Sequence, residues 1–371
     1  MSNTTKVRVL RVTPSFANKS HIGSGLNSYY HSKYSANSSF VLTEHKQVDY
    51  TIPDGVSLVA LKVPRYSLAA GSHFKVVVSY LLKIYQSLTF LVKSVEHIKN
   101  FRPDIVHLYS PIYILVGFYC KIRYNCKVVV SLHGTDIKRI EGSSFIRYIV
   151  FSFVDRVFLL SRRPIVGADI KGTSFLGNGY DNKIFTLTDN KMRERRNWFV
   201  TVAGLRPVKN HVMMLEAFKE FLELKSGYTL IIVGDGPLKI NLMQKICDLG
   251  IENHVRFLGQ KDQLYIARLF NLCHAFVLSS SSEGSPKVIT EALATGLPVI
   301  TTDVGDLRSR LNHESCIVTE HDSFSLAKGF LASTEFERID RQHLSNTVKD
   351  MTWTNIAKRL DLLYKMVLEK I

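Results

Sequence analysis

Cysteine is scarce and irregularly placed. The five residues, Cys120, Cys126, Cys247, Cys273 and Cys316, form no CxxC pair and no metal-ligand spacing, and their odd number argues against a disulfide framework. A reducing cytoplasm is therefore the expected compartment. Long apolar runs are missing too: the longest, VVVSYLLKIYQSLTFLV at 76–92, is interrupted by Lys83 and several polar residues, which argues against a bilayer-spanning helix. The opening MSNTTKVRVLRV has neither the apolar core nor the cleavage site of a signal peptide, so secretion is not expected. Short tandem repeats and low-complexity tracts are also lacking. Acidic residues run short in one half only. Residues 1–185 hold 24 Lys and Arg against 10 Asp and Glu, whereas residues 186–371 hold 24 against 22. A basic first half attracts nucleic acid, anionic lipid or a phosphorylated substrate, or is simply a solvated surface, and charge alone does not choose among them.

What is present suits a two-domain α/β protein. A chain of 371 residues, 46% of them apolar, buries substantial cores. Short β-branched or apolar runs at 6–14, 104–109, 127–134 and 155–161 alternate with helical segments, and the scheme repeats at 197–204, 228–236, 254–259, 275–280 and 297–303. The polar stretch FTLTDNKMRERRN, 185–197, reads as a linker. Two Rossmann-like domains in series are expected, with ligands gathered at the carboxyl ends of their strands.

The motifs sit just after those strands. Gly23 and Gly25 bracket Ser24 ahead of a helix, where backbone N–H groups approach a phosphate or simply form a loop. His133, in HGTD, projects from a strand end as either a structural or a functional side chain. Arg206 and Lys209 follow a strand and precede a helix, a placement that suits a diphosphate as well as a solvated loop. VGDGP at 233–237 is one more tight turn. Most informative is SSEGSPKVITEALATG at 281–296. Gly284 and Pro286 force a turn into a helix, leaving the amides of 285–288 toward an anion. Glu283 precedes that turn and Glu291 lies about one turn inside the helix. One carboxylate then accepts from sugar hydroxyls and the other from a ribose diol, with phosphates between them.

The stretch EGSPKVITEALATGLPVITTDVG resembles the E-x7-E region of the retaining glycosyltransferases of family 4. The resemblance extends along nearly the whole chain through PDIVHLYSP, SLHGTD, LGNGYD (Asn178, Gly179, Asp181), VAGLRPVKN, IIVGDGP, VRFLG and a closing MTWTNIAKRL. It implies a GT-B fold, in which two Rossmann-like domains face a central crevice and a C-terminal helix returns to the first domain. The implied boundaries are 1–185 for the acceptor domain, 196–345 for the donor domain and 346–371 for the returning helix. The implied partners are a UDP- or GDP-sugar donor and a glycan or lipid-linked acceptor, with no cofactor. No D-x-D triplet occurs, in keeping with the family's independence of metal.

Carried over by position, the resemblance implies catalytic roles for Glu283, at the transferred sugar, for Lys209, at the diphosphate, and for His133, beside the donor sugar. Glu291 would hold the ribose. Gly23, Gly25, Gly284 and Ser285 would line the substrate, and the base contacts would come from Gly259 to Lys261. The family's usual arginine five residues before the lysine is here Gly204, so Arg206 is the substitute on offer. The expected role is bacterial surface polysaccharide synthesis (lipopolysaccharide, capsule or O-antigen) at the inner face of the cytoplasmic membrane. A basic segment, Phe74 to Lys99, with Lys75, Lys83, Lys93 and Lys99 among leucines, valines and aromatics, would make peripheral contact there, unless it is a core-facing helix. A nucleotide-sugar 2-epimerase of the same fold is the alternative. Nucleic acid is not expected as a partner, because no recognisable binding module occurs.

Overall fold

The apolar runs pair as parallel strands in two separate sheets. The computed structural model describes residues 6–16, 24–44, 51–64, 73–162, 165, 172–188, 196–311, 316–335 and 340–369. Its contacts divide the chain into one unit of residues 1–178 and 353–371 and a second of 179–352.

The first unit contains β1 (Arg8–Thr13), β2 (Ser38–Thr43), β3 (Val56–Ala60), β4 (Ile105–Leu108), β5 (Lys127–Leu132), β6 (Arg156–Leu159) and β7 (Thr173–Phe175), in the order β3-β2-β1-β4-β5-β6-β7. Its helices are α1 (Ser24–Tyr34), α2 (His73–Phe101), α3 (Ile114–Tyr124), α4 (Gly134–Glu141) and α5 (Ser144–Phe153). The second unit contains β8 (Trp198–Val202), β9 (Thr229–Val233), β10 (Val255–Gly259), β11 (Ala275–Leu278), β12 (Val299–Thr302) and β13 (Cys316–Thr319), in the order β10-β9-β8-β11-β12-β13. Between and after them lie α6 (His211–Leu224), α7 (Lys239–Asp248), α8 (Gln263–Leu272), α9 (Lys287–Ala294), α10 (Leu307–Arg310), α11 (Ser323–Ser333) and α12 (Arg341–Asn346).

Both orders reverse direction once. Chain progress runs outward to one side from β1 and then to the other from β4, and likewise from β8 and then from β11. This doubly wound pattern opens a crevice beyond the strand ends at each reversal, which is where such sheets bind ligands. Strands covered on both faces are largely apolar on both, and every residue of β4, β11 and β12 is buried. At about 1.5–3 kcal/mol for each fully buried Val, Leu, Ile, Phe or Met, such strands hold the sheets' centres in register.

The last helix, α13 (Trp353–Glu369), belongs to the first unit and packs on α1. Trp353 stacks on Tyr30 with ring centroids 4.9 Å apart. The same unit holds an unusual core residue, Arg11, which is wholly buried in the middle of β1. Its Nη1 donates to the Tyr364 hydroxyl at 2.7 Å and to the Tyr109 hydroxyl at 3.3 Å, and its Nε donates to Ser39 Oγ at 3.3 Å. Burial opposes the charge, but the two phenols and the Asp361 carboxylate outweigh it and hold the guanidinium above its ordinary pKa. His107 Nδ1 meets the same Tyr364 hydroxyl at 2.6 Å, and burial together with the Arg11 charge keeps that imidazole neutral.

Helix α2 has two unlike faces. Ser87, Phe90, Ser94 and Ile98, at helical spacing, are buried, while Leu81, Ile84, Tyr85, Leu88 and Val92 form an exposed apolar stripe along the other side. The side chains of Phe74 and Lys75 lie outside the described residues. Among the described residues, no helix is long and apolar enough to cross a membrane.

Candidate active site

In the second unit the crevice lies between the ends of β8 and β11, and the two segments leaving those strands are tied together. Ser281 N donates to the Val208 carbonyl at 2.9 Å, and Ser279 Oγ donates to the carbonyls of Lys209 at 2.9 Å and Asn210 at 3.1 Å. Asn210 takes a left-handed conformation, φ +47°, that ends the 3-10 turn Pro207–Lys209 and starts α6. This clamp brings Lys209 onto Glu283. Lys209 Nζ and Glu283 Oε1 form an ion pair, and Ser280 Oγ donates to the same oxygen at 2.8 Å. Both side chains remain partly open to solvent, 25% and 14% exposed, so the pair can reach a ligand.

Arg206 is exposed one residue before that 3-10 turn. A Cβ added at Gly204 would lie 4.0 Å from Arg206 Nε, so this arginine leans back over the position where the family's usual arginine is missing. The VGDGP turn supports the same loop. Gly234, at φ +139°, would put a Cβ 2.0 Å from the Ala203 carbonyl oxygen, and Gly236 would put one 2.5 Å from that of Leu205. These two glycines let the β9–α7 turn lie against the backbone that carries Arg206, a role beyond that of a tight turn.

Pro286 stands at the N-cap of α9, and the helix proper begins at Lys287. Glu291 is therefore one turn inside, on the same helix face as Lys287. The two glutamates occupy unlike surroundings. Glu283 is ion-paired, whereas Glu291 is buried, and burial lifts its carboxyl to about 7 against the pull of the Lys287 charge. Burial also lowers Lys287 to about 8, offset in part by Glu291. Lys287 was not singled out from the sequence. An (i, i+4) Lys–Glu spacing is indistinguishable there from a surface pair until the fold buries it.

Ser285 accepts a hydrogen bond from Arg310 Nη1 at 3.2 Å, and the Gly284 carbonyl lies against Gly305, whose added Cβ would be 2.4 Å from it. Gly259 ends β10 at φ +67° and its carbonyl accepts from Gly234 N at 2.9 Å. Lys261 follows it, exposed, with Nζ 5.0 Å from the centre of the Tyr265 ring.

The remaining candidates belong to the first unit. Gly25 lies in the first turn of α1, where a Cβ would meet Ser15 Oγ at 2.6 Å. Gly23 lies outside the described residues. His133 is half-buried between β5 and α4, and its backbone N–H donates to Asp136 Oδ2 at 3.2 Å. The structure thus brings Arg206, Lys209, Glu283, Gly284, Ser285 and Glu291 to one strand reversal of the second unit, with Gly259 and Lys261 at the end of its edge strand.

Comparison with solved structures gives the class. The chain overlays sucrose-phosphate synthase from Thermosynechococcus elongatus with a TM-score of 0.80 at 16% identity, covering 99% of this chain and 100% of that one. It overlays Anabaena Alr3699/HepE in complex with UDP with a TM-score of 0.74 at 18% identity, covering 97% and 100%. Such likeness defines a GT-B fold. The family model described as Glycosyltransferase Family 4 matches residues 55–164, and the one described as Glycosyl transferases group 1 matches residues 184–351. The chain belongs to the family 4 glycosyltransferases. It is 26% identical over 245 residues to N-acetyl-alpha-D-glucosaminyl L-malate synthase of Bacillus anthracis, covering 61% of this chain and 63% of that protein. It is 29% identical over 219 residues to UDP-Gal:alpha-D-GlcNAc-diphosphoundecaprenol alpha-1,3-galactosyltransferase of Escherichia coli, covering 53% and 54%. These matches span less than two thirds of either relative.

Proposed function

We propose that the protein transfers a sugar from a UDP- or GDP-sugar to a lipid-linked or glycan acceptor, with retention at the anomeric carbon and without a metal ion. The observation that carries this reading is the ion pair of Lys209 and Glu283 at the strand reversal, ahead of a helix start suited to phosphates. As the bond from the anomeric carbon to the phosphate oxygen breaks, the carbon becomes cationic and the diphosphate gains negative charge. Lys209, Arg206 and the amides entering α9 then bind the transition state more strongly than the substrate. Losing one such donor costs about 2.7–4 kcal/mol in comparable oxyanion sites. The acceptor oxygen bonds to the anomeric carbon on the face the phosphate leaves, and its proton passes to the departing phosphate oxygen. Glu283 positions the sugar and is no covalent nucleophile in this scheme, since the acceptor itself attacks on the face the phosphate leaves. The buried Glu291 accepts from the ribose hydroxyls.

A lipid-linked acceptor is supported by the relative from Escherichia coli, whose name specifies a diphosphoundecaprenol substrate. The exposed apolar stripe of α2, with Lys93 and Lys99 exposed on the same helix, suits an anionic membrane surface. Synthesis of a bacterial surface polysaccharide at the inner face of the cytoplasmic membrane fits both. The test is a thermal-shift and calorimetric screen of UDP- and GDP-sugars, followed by NMR of the product's anomeric configuration with and without EDTA. Stabilisation by one nucleotide series, retention and survival of chelation are expected. Loss of activity in EDTA restored by magnesium would overturn metal independence, and a changed sugar in donor incubated alone would favour the epimerase.

A further inference from the structure

Behind the turn that carries Glu283 lies a cation that the scheme above leaves unused. Arg310 closes the short helix α10, and its Nη1 donates to Ser285 Oγ, a neutral hydroxyl, at 3.2 Å. Its Nε and Nη2 are enclosed and have no hydrogen-bond partner among the described residues. Burial lowers the guanidinium from its ordinary pKa, opposed in part by the Asp306 carboxylate. Cys316, also near it, is pushed up to about 12 by burial and stays a neutral thiol. A guanidinium enclosed with one neutral acceptor is an expensive arrangement, because each unpaired N–H loses its water without replacement. The segment is also pressed firmly onto the turn. Gly305, at φ +64°, lies so near that a Cβ would come within 2.4 Å of the Gly284 carbonyl oxygen. Arg310 is therefore held against residues 284–285, on which the phosphates of a bound nucleotide would rest.

We propose that Arg310 is an under-compensated buried cation whose missing counter-charge is the diphosphate of the bound nucleotide, so that it weakens the empty protein and strengthens the liganded one. This rests on the nucleotide reading of the second unit. Arg310 is a positioning residue here: it acts through Ser285 and through its field, which little water screens, without touching the reacting atoms. Among the described residues, only the Asp306 carboxylate offsets its charge in the empty protein; with a diphosphate at the amides entering α9, the sum becomes favourable.

The experiment compares the full chain with Arg310→Met and Arg310→Lys by thermal unfolding and by calorimetric titration with UDP, GDP and inorganic pyrophosphate. Arg310→Met is expected to melt at the same or a higher temperature than the parent when empty, and to bind its nucleotide diphosphate about 10- to 100-fold more weakly. Arg310→Lys, which keeps the charge, is expected to stay within about threefold of the parent. A parent that binds neither UDP nor GDP removes the nucleotide reading, and this inference with it. A parent that binds while Arg310→Met binds equally well overturns this inference alone, as does an empty Arg310→Met that melts lower with its affinity intact. An Arg310→Lys that loses as much affinity as Arg310→Met also overturns it, since shape and not charge would then be at work.

Discussion

Lys209 and Glu283 meet across the strand reversal of the second unit, on an oxygen that Ser280 also holds. The lysine proposed to meet a diphosphate is thus already engaged by the carboxylate next to it. The two side chains should respond differently to removal. Lys209→Met is expected to weaken both nucleotide diphosphate binding and turnover. Glu283→Ala is expected to reduce turnover at least about 100-fold while leaving UDP or GDP affinity unchanged or slightly improved, because Lys209 is released toward the phosphates. Calorimetry paired with initial rates separates these outcomes, and an equal loss of nucleotide affinity in both variants would end the division of roles.

Glu291 carries a pH signature. Burial raises its carboxyl to about 7, so between its unfolded value and about pH 7 the native state binds the extra proton, and stability falls as pH rises through that window. In the proposed role the ribose hydroxyls donate to the ionised form, so nucleotide affinity should move the opposite way. An increase of about fourfold is expected from pH 6.5 to pH 8. Titration calorimetry at both pH values checks it, and Glu291→Gln should flatten the dependence.

Gly234 and Gly227 both adopt positive φ, but only the first faces a neighbour, the Ala203 carbonyl at 2.0 Å from an added Cβ. Gly234→Ala is expected to cost about 2–3 kcal/mol and to loosen the Arg206 loop, whereas Gly227→Ala should cost about 1 kcal/mol. Denaturant unfolding of both variants, with nucleotide affinity measured alongside, distinguishes a strained and crowded position from a merely strained one.

The exposed stripe of α2 should bind membranes. Co-sedimentation with anionic vesicles is expected at low salt and should fade as salt rises, since the attraction is about 1 kcal/mol per suitably placed lysine. Replacing Leu88 and Val92 with serine should weaken what remains at high salt. Equal binding to neutral and anionic vesicles would remove the charge component of the reading.

Much of the architecture was legible because buried parallel strands leave dense apolar runs, β-branched in β5 and β9 and simply apolar in β11. The strands not read from the sequence lack that density. SSFVLT of β2 opens with two serines, and β3, β7 and β13 are short or incompletely buried and end or flank their sheets. Within the site, Glu283 and Glu291 were legible through spacing and turn chemistry. Lys287 and Arg310 were not, since what distinguishes them is desolvation, and desolvation belongs to the folded neighbourhood and leaves no mark on local spacing. The ion pair of Lys209 with Glu283 joins residues 74 positions apart and emerges only when β8 and β11 lie side by side.

The placement of Tyr364 has a consequence for the order in which the protein matures on the ribosome. The closest hydroxyl partner of Arg11 arrives more than three hundred residues after it, once the whole second unit has been synthesised. Until then the nascent first unit carries a charged side chain in the middle of a central strand without its principal acceptor, so it should stay open to solvent, proteases and chaperones while the second unit, a single stretch of chain, closes around its own core. The amino-terminal half of this chain would then be the last to become native.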